Sequence, residues 1–246
     1  MIKNSFVFVL LLLSCRSSPT NIEKLVDQQI TNNDWINIKE ISNLDPSIKN
    51  GYYRPPLLHV LCWNKKNDLV LKYLESGEDV TILDEINQWT ALHVAIACDD
   101  IDTAKTLLKF RADVQATDVD KAPPIIYCRS PEVLALLLSA GAKINSVNRN
   151  HAGILHRGGL DSKMIEFIIR NGADINLEDC KHRTPLHSAV IRFDYTMAHE
   201  LISRGALPNV KDNYGKTAID YCNEIKDDLE LIKIRKLLEK IISASH

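Results

Sequence analysis

Several features that would assign this chain to a specialised class are missing. It has 30 Lys and Arg against 32 Asp and Glu, a net charge of −2. It therefore lacks the basic excess with which proteins bind phosphate backbones, and we expect no nucleic-acid partner. No apolar run reaches the ~18 residues of a membrane-spanning helix. Six Cys in 246 residues exclude a disulfide-dense scaffold, and nine Gly and nine Pro exclude collagen-like and low-complexity chains.

Motifs that carry catalysis are also lacking. The sequence contains no H-E-x-x-H, no G-x-S-x-G and no C-x-x-C pattern, which are arrangements that metalloproteases, hydrolases and thiol oxidoreductases need. Its acidic residues are scattered rather than paired. We therefore expect a protein that is not an enzyme and that holds no cofactor and no metal.

The first fourteen residues have the composition of a secretory signal. Lys3 precedes an apolar run from Phe6 to Leu13, and the small Ser14 follows. The segment Leu12-Leu13-Ser14-Cys15 resembles the lipobox of bacterial lipoproteins. That resemblance implies cleavage after Ser14 and lipid attachment to Cys15. We therefore predict a signal peptide over 1–14, lipidation at Cys15 and a short tether over 15–20.

Lipidation would locate the mature chain in the bacterial cell envelope, because several acyl chains hold a protein durably on a membrane. By family analogy, the lack of an Asp directly after Cys15 favours the outer membrane. The alternative is an unlipidated, secreted protein that is cut near Ser14 or Ser18.

A unit of 30 to 34 residues recurs along the rest of the chain. The hexamer T-A-L-H-V-A at 90–95 returns as T-P-L-H-S-A at 184–189, with weaker copies around His59, His156 and Asp220. A second marker, G-A-D-I-N at 172–176, keeps step with the first in five copies. Two markers in phase indicate stacked structural repeats.

These markers resemble those of ankyrin-repeat proteins, whose units carry T-P-L-H-x-A at the first helix and G-A-D-V-N after the second. The resemblance implies an all-α solenoid of about six helix-turn-helix units, with β-hairpin-like turns and helical caps. We predict N-terminal capping helices over 21–50 and an ankyrin-repeat domain over 51–242. The repeats are predicted at about 52–84, 85–117, 118–147, 148–178, 179–211 and 212–242, the last closed by a helix over 228–242.

Local chemistry agrees with these repeats. Thr90 is suited to N-cap a first helix. Glycines such as Gly141 lie where a second helix must stop in the left-handed region, and Arg111 at the equivalent position should cost roughly 1 kcal/mol. Arg157-Gly158-Gly159 should interrupt the first helix of repeat four.

In ankyrin proteins the turn tips and the first helices form a concave surface that binds partners. Because Trp, Tyr and Arg dominate interface energies, we take Trp, Tyr and Arg residues at matching positions as anchors. For Trp89 the alternative is that it only covers its own turn. The anchors are Trp63, Trp89, Arg183, Arg192 and Tyr214, and the other candidate partner-binding residues are Ile86, Asn87, Arg149 and Lys181.

Four histidines share one register of the repeat, and the resemblance implies structural hydrogen bonds for them. They are His59, His93, His156 and His187. Registers one repeat apart are about 10 Å from each other, which is too far for a shared metal.

Two groups of cysteines are expected to differ. Cys128 and Cys222 occupy a small-residue position in the core of the repeat, and we expect them to be buried. Cys98 and Cys180 are expected to be exposed thiols.

The function that these observations favour is a monomeric, membrane-anchored scaffold that binds a protein partner. The two alternatives are a secreted ankyrin effector that binds a host protein and a periplasmic redox-protective protein that acts through Cys98 or Cys180.

Overall fold

The computed structural model describes residues 56–224 and 228–244, and this part of the chain is a stack of helix pairs. The predicted signal peptide, Cys15, the tether and the capping helices over 21–50 lie outside the described residues. The described part contains ten α-helices and two 3-10 helices but no strand, apart from an isolated antiparallel bridge between Leu83 and Thr90. The predicted all-α repeat solenoid is therefore confirmed.

In chain order the elements are α1 (Leu57–Trp63), α2 (Asn67–Glu75), α3 (Ala91–Ala97), α4 (Ile101–Lys109), the 3-10 helix η1 (Pro124–Tyr127), α5 (Pro131–Ser139), the 3-10 helix η2 (Ile154–His156), α6 (Ser162–Arg170), α7 (Pro185–Ile191), α8 (Tyr195–Ser203), α9 (Ala218–Glu224) and α10 (Leu229–Ala244).

The elements form two rows. The inner row runs α1, α3, η1, η2, α7, α9, and the outer row runs α2, α4, α5, α6, α8, α10; each element packs against the next in its own row. Among the described residues, each repeat thus packs mainly against its neighbours, as in other solenoids. The long helix α10 ends the outer row.

The outer helices after α2 begin at side chains that accept hydrogen bonds from their first turn. Asp161 accepts from the backbone N–H of Met164 at 2.8 Å, and Asp194 accepts from that of Met197 at 2.9 Å. Such N-caps satisfy backbone donors that would otherwise lack a partner. The helices then bury one apolar stripe between the rows, which includes the fully buried Leu107, Leu137, Ile168 and Leu201.

The outer helices from α2 to α8 each end at a residue with a left-handed backbone. Gly141, Gly172 and Gly205 have φ values of 94°, 86° and 93°, and Arg111 at the same position has a φ of 65°. The prediction of left-handed helix stops is confirmed. Arg111 therefore adopts a backbone conformation that disfavours a residue with a Cβ atom.

Repeats three and four lack full inner helices. Helices α3 and α7 have seven residues each, whereas η1 has four and η2 has three. The predicted interruption at Arg157-Gly158-Gly159 is confirmed, because the backbone leaves the helical region at Arg157 with a ψ of 142°. The shortening in repeat three was not expected; there the backbone is already extended at Cys128, just before α5 begins at Pro131.

An arginine covers the shortened repeat three. The Arg157 Nη1 donates to the carbonyl oxygens of Ile126 and Cys128, at 3.2 and 3.3 Å. In a longer helix these two carbonyl oxygens would have accepted backbone N–H groups, and Arg157 takes the place of those donors. Burial lowers the pKa of Arg157 to about 10, with the nearby Arg129 acting in the same direction.

Candidate protein-binding surface

Five turns, which precede α3, η1, η2, α7 and α9, are each organised around one Asp or Asn side chain. In repeat two the Asp84 carboxylate accepts from the backbone N–H groups of Ile86, Asn87 and Trp89, at 3.0, 2.8 and 2.8 Å. One side-chain oxygen accepts two backbone N–H groups in each of the four following turns, where the residue is Asp118, Asn148, Asp179 or Asp212. The turns are therefore rigid, because their backbone donors are satisfied locally.

Sequence analysis did not identify this Asp/Asn register as a repeat marker. Its recurrence at intervals of 34, 30, 31 and 33 residues was the signal that could have revealed it. A short polar side chain that binds backbone two residues on is a common turn former.

Backbone hydrogen bonds connect the tips of these turns into one line, which we call the tip row (residues 85–87, 119–120, 149–150, 180–181 and 213–214). The N–H of Val119 donates to the Asn87 carbonyl at 2.8 Å, and that of Cys180 donates to the Asn150 carbonyl at 2.8 Å. Arg149 and Asn213 make the equivalent bonds to the preceding tips. The tip row is thus a continuous edge and not a set of separate loops.

The four histidines in the shared register connect consecutive repeats. The His93 Nε2 lies 3.0 Å from the Ala122 carbonyl of the next repeat, and its Nδ1 accepts from the Thr90 N–H at 3.1 Å. The other three make the same contact to the next repeat, at 2.7 Å for His59, 3.0 Å for His156 and 3.2 Å for His187. The structural hydrogen bonds that were predicted for these residues are confirmed.

Burial lowers the pKa of all four rings, to about 4 for His93. The neutral ring fits this arrangement, because one nitrogen accepts while the other donates to a carbonyl. The Nδ1 of His59 has no partner among the described residues, since Pro56 stands where the other repeats have an N–H.

Trp89 requires a correction. It is only 7% exposed, its Nε1 donates to Asp118 at 3.2 Å, and its ring centroid lies 4.8 Å from that of Tyr127. The ring therefore packs between repeats two and three and has little surface to offer a partner. The alternative, in which Trp89 only covers its own turn, is also too narrow, because its contacts reach Asp118 and Tyr127 of the next repeat.

The predicted arginine anchors differ in how they are held. The Nε and Nη2 of Arg183 donate to Asp179 at 3.0 and 2.7 Å, so its guanidinium braces its own turn. Although burial acts in the opposite direction, these bonds and backbone N–H groups lower the pKa of Asp179. Arg149 is exposed and lies 3.4 Å from Asp120 on the preceding tip.

Arg192 is half-buried at the end of α7, where it covers repeat four. A Cβ atom added to Gly158 would lie 2.7 Å from its Nε, so the Arg192 side chain would have to shift if a larger residue replaced Gly158. Its Nε and Nη2 are buried without a hydrogen-bond partner in the part of the chain that the structure describes. Burial lowers its pKa.

Other predicted residues lie along the tip row or the inner row. Tyr214 is the most exposed of them at 67%, and Ile86 is exposed at 42%. Asn87, Lys181 and Trp63 are half-buried. Phe193, an exposed aromatic residue directly after Arg192, was not predicted. Lys65 and Asp99 hold the equivalent positions after α1 and α3, and a large aromatic residue in place of these polar ones was the available signal.

A cleft of about 270 Å³ lies between the end of α7 and helices α9 and α10. Its lining residues are Arg183, Val190, Ile191, Phe193, Tyr221, Glu224 and Leu231. Exposed apolar residues therefore cluster at this end of the inner row, where they adjoin a concavity.

The cysteines match the predicted pattern in part. Cys128 and Cys222 are fully buried, as expected, and Cys180 is exposed, but Cys98 is half-buried. Burial raises the pKa of Cys98, and it raises that of Cys128 to about 12. Within the described ranges, no group of three or more His, Cys, Asp or Glu side chains is arranged to hold a metal.

Among the helices of 56–224 and 228–244, none combines the length and the apolar character of a membrane span.

Comparison with known proteins supports the repeat architecture. The family described as "Ankyrin repeats (3 copies)" matches residues 58–148 and 154–240. Human inversin is 31% identical over 181 residues, which are 68% of this chain and 17% of inversin. The mouse B-cell lymphoma 3 protein homolog is 29% identical over 140 residues, 52% of this chain and 31% of that protein.

One similar protein carries an enzyme name. A Dirofilaria immitis protein named L-asparaginase is 25% identical over 189 residues, 74% of this chain and 32% of that protein. The chain thus spans about a third or less of the length of these three relatives. Since the family match covers most of the chain and coincides with the two rows of helices, this chain belongs to the ankyrin-repeat family.

Proposed function

We propose that this chain is a non-enzymatic scaffold of the bacterial cell envelope, which is anchored by lipid at Cys15 and binds a partner protein through the tip row and the inner row. The observation that carries the proposal is the set of exposed apolar side chains on a rigid frame: Ile86, Val119 and Tyr214 on the tips, and Ile191 and Phe193 at the end of α7. Exposed apolar and aromatic side chains on an otherwise satisfied surface are typical of interfaces.

The rigidity of the frame supports capture without turnover. The turn backbones are held by Asp and Asn side chains, and the tips are joined by backbone hydrogen bonds. A preorganised surface loses little conformational entropy on binding, which favours affinity. Ankyrin-repeat proteins are generally non-catalytic, and this chain acts as a monomer in the proposal.

A crosslinking experiment tests the binding surface. A photoreactive phenylalanine derivative replaces Tyr214 in one variant and Lys105, an exposed residue of outer helix α4, in the matched control. We expect a discrete crosslinked protein in the envelope fraction from the Tyr214 position only. Equal crosslinking from both positions, or none from Tyr214 and likewise none from Ile86, contradicts the proposed surface.

The anchor has its own test. Metabolic labelling with a fatty acid should label the full chain but not the Cys15→Ala variant, and that variant should leave the membrane fraction. If membrane association is unchanged, lipidation at Cys15 is wrong. Release of the unsubstituted chain into the medium would support the secreted effector instead.

The redox alternative gains no support from Cys98, because burial raises its pKa and so disfavours the reactive thiolate. Cys180 is exposed on the tip row. Titration of free thiols before and after peroxide treatment tests it, and an unchanged count would remove this alternative.

A further inference from the structure

We propose that the cleft between α7 and α9, together with the start of α10, accepts a single aromatic side chain of the protein partner. This inference rests on the proposed binding function and assigns the position that anchors the partner. The cleft, which we call the anchor cleft, is bounded by Ile191 and Phe193 on one side and by Tyr221 and Leu231 on the other.

The size of the anchor cleft suits one side chain. Its volume is about 270 Å³, which lies just below the ~300–1,000 Å³ that is typical of sites for small molecules. Protein interfaces are commonly anchored by one large side chain that fills such a pocket. A protruding side chain is therefore a better match than a free metabolite.

The left-handed backbone of Phe193 belongs to its register, since Lys65 and Asp99 share it, but the exposure of its ring is particular to this repeat. Its backbone has a φ of 60°, a left-handed conformation that is unfavourable for a bulky residue. The side chain is nevertheless 41% exposed, so it recovers only part of the burial that a phenylalanine can contribute. An exposed aromatic side chain beside a concavity is a typical contact for a protein partner.

The charges beside the cleft are already balanced. The Arg183 guanidinium is paired with Asp179, and the Glu224 carboxylate is paired with Lys216, whose ammonium also lies 5.2 Å from the Tyr221 ring centroid. The charged groups in the described part of the lining are therefore paired and do not require a charged occupant. Two aromatic rings and a planar guanidinium favour an aromatic group, because rings stack on both kinds of surface.

The first experiment uses N-acetyl-L-tryptophanamide as the probe and the methyl NMR signals of the full chain as the readout. We expect saturable shifts at Ile191 and Leu231 but not at Leu207, an exposed leucine that does not line the cleft. N-acetyl-L-leucinamide should bind about three- to tenfold more weakly, as expected from the additional energy of aromatic pairs. Equal binding of the two probes, or no saturable shift with either, overturns the inference.

The second experiment separates binding from folding. Phe193→Gly removes the ring and also relieves the left-handed backbone, so this variant should remain folded. Lys65→Gly is the matched control, because Lys65 has the equivalent position after α1 and a φ of 54° but does not line the cleft. We expect Phe193→Gly to weaken binding of the probe about three- to tenfold and Lys65→Gly to leave it unchanged.

The same two variants distinguish this inference from the proposed function. If the crosslink from the Tyr214 position persists in both variants and the probe binds Phe193→Gly normally, the anchor cleft is wrong while the scaffold function stands. If no partner crosslinks to any tip position, the scaffold function itself fails. Self-association of the chain through Phe193, detected by sedimentation, would assign the cleft to a second copy and overturn the proposed occupant.

Discussion

Arg111 and Gly141 occupy the same place after their outer helices, and they differ only in whether a Cβ atom must be accommodated. Arg111→Gly should raise the free energy of unfolding by about 1 kcal/mol, because a left-handed residue without a Cβ is less strained. The exposed Arg111 side chain has little packing to lose. Urea unfolding of the full chain measures the change.

The reverse substitution is the control. Gly141→Ala should lower the free energy of unfolding by about 1 kcal/mol. Because a Cβ at Gly141 would meet no atom within 4 Å, the loss reports the backbone alone. If both substitutions are neutral, the left-handed stops contribute nothing to stability.

Trp89 and Tyr214 are both aromatic residues of the turns, but their environments are opposite. Trp89→Ala should lower the free energy of unfolding by about 3 kcal/mol, since it removes a buried ring that contacts Tyr127 and Asp118. Tyr214→Ala should change it by less than about 0.5 kcal/mol, because the side chain is 67% exposed. Thermal unfolding of the two variants tests this difference, and similar melting temperatures would contradict the assignment.

At the scale of the element, the short inner segments depend on side chains from neighbouring repeats. Arg157→Ala should lower the free energy of unfolding by about 1–3 kcal/mol, because the carbonyls of Ile126 and Cys128 lose their donor. Chemical denaturation at pH 7 is the measurement.

Arg170→Ala is the matched control for that prediction. Arg170 is exposed on outer helix α6 and pairs with Glu166 at 2.6 Å. Exposed pairs within one helix contribute little, so its removal should cost less than about 0.5 kcal/mol. Equal losses in the two variants would mean that Arg157 is an ordinary surface arginine.

The spacing of the histidine register along the sequence already indicated that repeats three and four are irregular. Consecutive positions of the histidine register are 34, 33, 30, 31 and 33 residues apart. The short intervals coincide with η1 and η2, which have fewer residues than α3 and α7. The longest interval, 34 residues between His59 and His93, includes the turn after Asp84, which is one residue longer than the later turns. Spacing alone, however, could not say which helix of a pair was shortened.

At the scale of the whole molecule, the histidine bonds between repeats predict sensitivity to acid. Burial holds the folded pKa values below the unfolded value of 6.5, so the neutral rings contribute fully above that pH. The contribution is lost as the pH falls from 6.5 towards the folded pKa, about 4 for His93, at up to about 1.4 kcal/mol per pH unit for each ring. Urea unfolding at pH 7.5, 6 and 5 should show decreasing stability.

The acid sensitivity can be assigned to the histidines by the pH range in which it occurs and by a pair of variants. The lowered pKa values of Asp179 and Asp212 act below their ordinary value of 3.8, outside this interval. His93→Gln should reduce the slope between pH 6.5 and 5, whereas His199→Gln, at an exposed position, should leave it unchanged. A slope that is insensitive to His93→Gln would assign the acid sensitivity to other groups.

The repeat architecture, the left-handed helix stops and the structural histidines could be predicted from the order of the amino acids, because each depends on contacts that recur at the same register in neighbouring units. Which side chains remain available to a partner could be seen only in the folded chain. Trp89 is buried because Tyr127 and Asp118 of the next repeat close over it, and Phe193 is exposed because it extends from the end of α7 beside the anchor cleft. Exposure depends on how adjacent repeats pack against one another, and a periodic pattern does not specify that packing.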